Sequence, residues 1–126
     1  MKVFLNAGHA PDGDPDPGAC GYGLRECDVA KSVADLVAGY LAAAGVEVVG
    51  NMQSDSLHEV VSVSNNSDAD VFVSIHCNAF TNPNAHGMET YYYPKTDKDE
   101  HFAILLNEEL EKAGGRFNRG VKYAKF

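Results

Sequence analysis

No stretch of this sequence approaches the roughly 18 consecutive apolar residues that a membrane span requires, so insertion into a membrane is not expected. Cysteine is scarce. Cys20, Cys27 and Cys77 are an odd number with no CxxC pair among them, which argues against a disulfide framework and against an all-cysteine metal site. Basic charge is also short: 10 Lys and Arg stand against 18 Asp and Glu, for a net charge of −8. Such a chain repels phosphate backbones, and the basic stripe Arg116, Arg119, Lys122 and Lys125 is too short to offset this, so no nucleic-acid partner is expected. The opening MKVFLNAGHA has only a brief apolar run before Gly8 and His9, which is not the pattern of a signal peptide. Internal repeats, low-complexity tracts and linkers are missing too. What is present is an ordinary globular composition, 44% hydrophobic and 22% charged over 126 residues. One domain over residues 1–126 with one core, acting as a monomer, is the expectation.

The pattern of elements is legible in outline. Lys2–Asn6 is a compact apolar strand running into a loop at Ala7, Gly8 and His9. From Ala10 to Gly23 the density of Pro and Gly excludes regular structure. Apolar residues from Val29 to Ala44 then recur with a period near 3.6, predicting a helix over Glu26–Ala44 closed by Gly45. Val46–Val49 reads as a second strand, Leu57–Asn66 as a shorter helix and Asp70–His76 as a third strand. Gly87–Tyr93 reads as a fourth strand and Asp97–Ala113 as a last helix. This order predicts an α/β fold: a single-domain, mixed but mostly parallel sheet with helices on both faces.

In such sheets ligands gather at the carboxyl ends of the strands. His9 follows the first strand and His76 ends the third, so both imidazoles should emerge on one edge. Glu26 opens the first helix and joins them if the long loop folds over that edge. Two imidazole nitrogens and a carboxylate oxygen suit Zn2+, and three protein ligands leave a fourth tetrahedral position for water, the pattern of a catalytic zinc. A spacing of 67 positions between the histidines carries little weight alone.

The short motifs carry more because they fall in order: VFLNAGHAP, then DPGACGYGLRECDVAKSVADLVAGYLAAAGVEVV, DADVFVSIHCNAF, GMETYYY and NRGVKYAKF. Along its whole length the chain resembles the zinc-dependent N-acetylmuramoyl-L-alanine amidases, the amidase domain of bacterial autolysins and phage endolysins. The resemblance places the family's zinc ligands on His9 in Gly8-His9, on Glu26 in Leu24-Arg25-Glu26, and on His76 in Ser74-Ile75-His76-Cys77-Asn78. It implies peptidoglycan as substrate, hydrolysis of the amide between N-acetylmuramic acid and L-alanine, and action at the bacterial cell wall, outside the cytoplasm or in the periplasm.

The resemblance also implies a later strand with a Glu in a Glu-x-Gly-Phe-like motif, held to be the family's general acid or base. No residue after Lys125 in this sequence supplies it, so no catalytic carboxylate is assigned, and the domain is expected to be short at its C-terminal end. The alternative reading is a zinc-binding but inactive amidase fragment or a peptidoglycan-binding module; a metal-free α/β ligand-binding domain is a third. Glu89 is expected to orient a metal ligand or the bound water, with a substitute base or a solvent-facing strand residue as alternatives. Asn78 is a candidate for a similar supporting or substrate-binding role. Val60 and Met52 stand where the family usually has Arg. Asp12, Asp14 and Asp16 resemble the start of a calcium loop, but Pro17 and Gly23 occupy the positions that need Gly and Glu. His58, His86 and His101 read as solvated, Cys77 as a small buried residue, and Tyr91 to Tyr93 as cross-strand packing rather than a sugar platform.

Overall fold

The apolar run at the N-terminus becomes β1, Lys2–Ala7, the central strand of a three-stranded parallel sheet in which it is flanked by β4, Glu47–Gln53, and β5, Val71–Ile75. The structure is a computed structural model that describes residues 1–125. It comprises two compact units, one of residues 1–79 and one from Phe80 onward.

In the first unit, β1 is buried from Val3 to Ala7, which is what a parallel strand covered on both faces requires. Helix α1, Glu26–Ala43, lays Ala30 and Ala34, one turn apart, on Ala7. These small side chains let the helix come close to the strand. Asn6 points to the opposite face by the alternation of a strand, and there it shares a cleft wall with Leu57 and Val60 of α2, Leu57–Asn66. Helices therefore serve both faces. Buried Asn6 also ties the three strands together: its carboxamide donates to the Met52 carbonyl on β4 and accepts from the Ser74 hydroxyl on β5 at 2.7 Å.

β4 runs past the predicted stop at Val49 to Gln53. The β-branched run ends at Val49, but the strand continues through Gly50, which marks a close approach. A Cβ there would lie 2.3 Å from the Phe4 ring, which stacks on Phe72 with centroids 5.9 Å apart. The pairing slips by one residue at this point, from Val3 with Val48 to Phe4 with Gly50. Two further short strands, β2 (Cys20–Gly21) and β3 (Leu24–Arg25), pair as a hairpin within the loop that precedes α1. The Pro and Gly density of the loop concealed them.

The second unit is a β-α-β arrangement of β6 (Met88–Tyr92), α3 (Asp97–Gly114) and β7 (Asn118–Tyr123), with the two strands parallel. Thr96 and Asp99 form a reciprocal cap on α3. A polar relay crosses the unit: the Thr90 hydroxyl donates to buried Asn107, whose amide donates to Asn118 at 2.9 Å. Sequence patterning did not predict β7, because NRGVKY carries two cations and a glycine and no apolar alternation. Its cations have partners instead. Arg119 and Lys122 both donate to the Glu89 carboxylate on β6, so two members of the basic stripe are committed within the fold. Tyr92 meets Tyr123 across the strand pair, with ring centroids 6.4 Å apart.

The hydrogen bond from Lys122, reinforced by Arg119 and opposed by burial, holds the Glu89 carboxyl below its ordinary pKa of 4.5. A depressed folded pKa adds stability that is complete above the unfolded value and fades as pH falls through the folded one. Glu89→Gln is therefore expected to cost roughly 1 kcal/mol at pH 7, since solvent screens the partly exposed cations. The cost should shrink as pH falls below the ordinary carboxyl pKa of 4.5, and urea unfolding at pH 7 and at acidic pH measures the difference.

Candidate metal centre

The site is assembled from three chain segments of the first unit. The backbone N–H of Gly8 donates to the Ile75 carbonyl at 2.9 Å, so the ends of β1 and β5 leave the sheet side by side. His9 and His76 consequently face each other, with ring centroids 5.1 Å apart. Gly8 leaves room for this: a Cβ on it would sit 2.4 Å from the His76 ring. His9 itself adopts a positive φ of 68°, an uncommon backbone conformation for a residue with a side chain, and it turns the chain into the long loop.

That loop supplies the third segment. Arg25 offers no side-chain cap to α1, so the free N–H groups of the first turn are met by the loop itself. Glu26 donates to the Ala19 carbonyl at 2.8 Å and Cys27 to the Pro17 carbonyl at 3.1 Å. The exchange is mutual, because one Glu26 oxygen accepts from the Ala19 N–H at 2.9 Å and the other from the Cys77 N–H at 2.7 Å. The same two oxygens face the histidines: Oε2 lies 3.0 Å from His9 Nε2, and Oε1 lies 3.0 Å from His76 Nδ1. One donor atom from each of His9, Glu26 and His76 falls within 4.8 Å of the others, a group able to hold a metal ion. The Glu26 side chain is only 4% exposed, while that of His76 is 48% exposed. The cluster is thus anchored on the carboxylate and open on the imidazole side, where a cleft of about 180 Å³ has Asn6, Ser54, Asp55 and Val60 in its walls.

Protonation shows what the arrangement is suited to. Burial would raise the Glu26 pKa, but the N–H groups of Ala19 and Cys77 and the neighbouring histidines outweigh it, and the carboxyl titrates below its ordinary range. For His9, burial acts to lower the pKa, yet the hydrogen bond to Asp16 and the charge of Glu26 prevail and raise it. His9 Nδ1 lies 2.8 Å from Asp16 Oδ2, and Asp16 Oδ1 accepts from the Gly18 N–H at 3.0 Å. One imidazole thus stands between two carboxylates. Neutral imidazole has a single N–H, and Asp16 takes it at Nδ1, which leaves a lone pair at Nε2 aimed toward an anion. A cation in that place resolves the conflict, so the residues fit a bound metal.

In the sequence Asp16 stands out only as part of a calcium-like pattern, and nothing there marks its contact with His9 beyond its place as an acidic residue inside the loop that joins two ligand candidates. Gly18 is as closely determined. It has φ of 70°, and a Cβ on it would lie 2.5 Å from the His9 ring and 2.7 Å from Glu26 Oε2. Gly18→Ala is expected to cost about 1–2 kcal/mol from the left-handed backbone alone and to weaken metal binding at least tenfold. Competition with a chromophoric chelator measures the second effect.

Asn78 lies two residues beyond His76, exposed in the segment after β5. Glu89 is on β6 in the second unit, with Arg119 and Lys122 on its carboxylate. Cys77 is partly buried, its thiol pKa raised by burial and by Glu26. Val60, at an expected Arg position, is buried and apolar.

Strands that lead into histidines beside a helix that opens on glutamate define a class: α/β proteins with an open, three-residue candidate metal site at the carboxyl edge of a parallel sheet. The family follows from comparison with known proteins, since the family model for N-acetylmuramoyl-L-alanine amidase matches residues 3–126. The chain belongs to that family. It is 36% identical over 129 residues to the N-acetylmuramoyl-L-alanine amidase LytC of Bacillus subtilis, covering 98% of this chain and 25% of that protein. The germination-specific N-acetylmuramoyl-L-alanine amidase of the same organism is 32% identical over 127 residues, covering 87% of this chain and 52% of that protein. The chain therefore spans between a quarter and about half of these relatives. Among solved structures, the N-acetylmuramoyl-L-alanine amidase of Clostridium difficile 630 superposes with a TM-score of 0.87 at 32% identity, over 99% of this chain and 70% of that one. AmiC2 of Nostoc punctiforme gives 0.86 at 31%, over 100% and 70%.

Proposed function

We propose that this chain is the metal-binding part of a zinc-dependent amidase domain, 1–126, that hydrolyses the bond between N-acetylmuramic acid and L-alanine in peptidoglycan at the bacterial cell wall. The observation that carries the reading is the convergence of His9, Glu26 and His76 on one point beside an open cleft. Zn2+ fits two imidazole nitrogens and one carboxylate oxygen, and such an ion, when bound, supplies Lewis acidity and an activated water.

The chain's own residues do the rest. Glu26 anchors the site through its two backbone hydrogen bonds and carries the negative charge that a dication requires. Asp16 holds the Nδ1 proton of His9, which fixes the ring and directs Nε2 toward the metal position. His76, the most exposed of the three, stands at the mouth where substrate enters. The Asn6 carboxamide, the Ser54 hydroxyl and the Asp55 carboxylate give the cleft polar groups suited to a peptide-bearing sugar. Peptidoglycan offers amides, hydroxyls and charges of both signs, so the net charge of −8 does not oppose its binding.

The test is digestion of purified peptidoglycan with and without a chelator, with new L-alanine amino termini as the readout. Release that stops on chelation and returns with zinc is the expected result. Retention on the wall without new amino termini would make the chain a wall-binding module instead, and protein that purifies and remains metal-free in added zinc would sink the zinc reading.

A further inference from the structure

Two of the three proposed ligands sit on segments that the backbone does not join directly. Among the described residues, backbone hydrogen bonds tie Gly8 to Ile75 and the first turn of α1 to Pro17 and Ala19. The end of β1 and the start of α1 are bridged by a side chain. Gln53, the last residue of β4, is paired in register with Ala7, and its Nε2 donates to the Gly8 carbonyl at 3.0 Å and to the Cys27 carbonyl at 2.9 Å. Gly8 directly precedes His9, and Cys27 directly follows Glu26.

We infer that Gln53 is a positioning residue that sets the separation of His9 and Glu26, and with it the affinity and geometry of the metal site. The inference rests on the zinc reading given above. Both partners of Gln53 are carbonyls, which only accept, so the amide nitrogen must face them and both of its N–H groups are used. No residue of similar size and shape replaces this function. Glutamate would set a carboxylate oxygen against two carbonyl oxygens at about hydrogen-bond distance, and methionine would fill the space without donating. Ligand atoms must be held to within roughly 0.5 Å for productive geometry, and a side chain joining the neighbours of two ligands governs displacements of that size.

The experiment compares wild-type protein with Gln53→Met and Gln53→Glu, using zinc affinity by chelator competition, the visible spectrum of the cobalt-substituted site, and folding by circular dichroism. The expected result is a fall in zinc affinity of about ten- to a hundredfold in both variants, typical when a group supporting a ligand is removed, with an altered cobalt spectrum. Wild-type affinity, or an unchanged cobalt spectrum, in a folded variant would overturn the inference and assign Gln53 a merely structural part. Should Gln53→Glu fail to fold, the volume-preserving Gln53→Met decides the matter. Should both fail, Gln53→Asn, with the amide drawn back by one methylene, is judged by the same two readouts. A wild-type protein that takes up no zinc in this assay would count against the zinc reading itself, whereas normal zinc uptake by wild type and variants alike would remove only the role of Gln53.

Discussion

Glu26→Gln is expected to reduce zinc affinity by a hundred- to a thousandfold and to abolish chelator-sensitive hydrolysis of peptidoglycan. The change is nearly isosteric, but it exchanges the anionic oxygens for one carbonyl and one amide. The carboxylate now serves four partners: the N–H groups of Ala19 and Cys77 and the ring nitrogens of His9 and His76. An amide can satisfy one N–H with its oxygen, but its nitrogen then faces a second donor. A dication also loses its one anionic ligand. Binding free energies of about 10–16 kcal/mol for four-ligand zinc sites suggest roughly 2.5–4 kcal/mol per ligand, and every 1.4 kcal/mol is about tenfold. Isothermal titration with zinc measures the loss. Affinity within threefold of wild type would show that the carboxylate does not ligate. Because Glu26 also closes the loop onto α1, folding of the variant should be confirmed by circular dichroism.

Removal of the metal should lower the thermal midpoint by roughly 10–20 °C. A ligand present at about a thousand times its dissociation constant stabilises the native state by about 4 kcal/mol, and for a protein of this size each kcal/mol moves the midpoint by a few degrees. The physical origin lies in the charge arrangement. Without a cation, Glu26 and Asp16 crowd His9 from both sides, and the raised His9 pKa is the protein's partial answer, since a protonated ring can donate to both. That substitute works only below the folded His9 pKa and is lost as pH rises through it. The effect of chelation on the midpoint should therefore be larger at pH 8 than at pH 6, where protons also compete with the metal for His9. All the proposed ligands lie in residues 1–79, so hydrogen exchange should show the gain in protection on zinc binding concentrated around residues 8–27 and 74–78. A midpoint insensitive to chelator at both pH values would contradict the proposed site.

The regular elements were legible wherever apolar periodicity was strong. The helix from Glu26, the strand before His76 and the alternation of strands with helices follow from residue spacing, because burial of one face repeats along the chain. The hairpin of Cys20–Gly21 with Leu24–Arg25 and the last strand, Asn118–Tyr123, were not legible. Both are held by backbone pairing and polar contacts, such as the clasp of Arg119 and Lys122 on Glu89, and these leave no hydrophobic signature. The second strand was legible only as its β-branched run, Val46–Val49; its continuation to Gln53 passes through Gly50, which makes room for the Phe4 ring.

At the site, residue chemistry and the order of motifs were enough to nominate His9, Glu26 and His76, since imidazole and carboxylate donors near strand ends and a helix start are properties of the chain read in one dimension. The tertiary structure decided whether three side chains spread over 67 positions meet, and it did so through the loop that answers the free N–H groups of α1 with its own carbonyls. It also disclosed Asp16 and Gln53. Neither could be found from spacing, because what each residue does depends on the distance to a partner, 2.8 Å to the His9 ring for Asp16 and 3.0 and 2.9 Å to two carbonyls for Gln53. Sequence specifies which groups can bind or donate; only the closed loop and the packed strand ends set the ångströms over which a hydrogen bond or a metal bond exists.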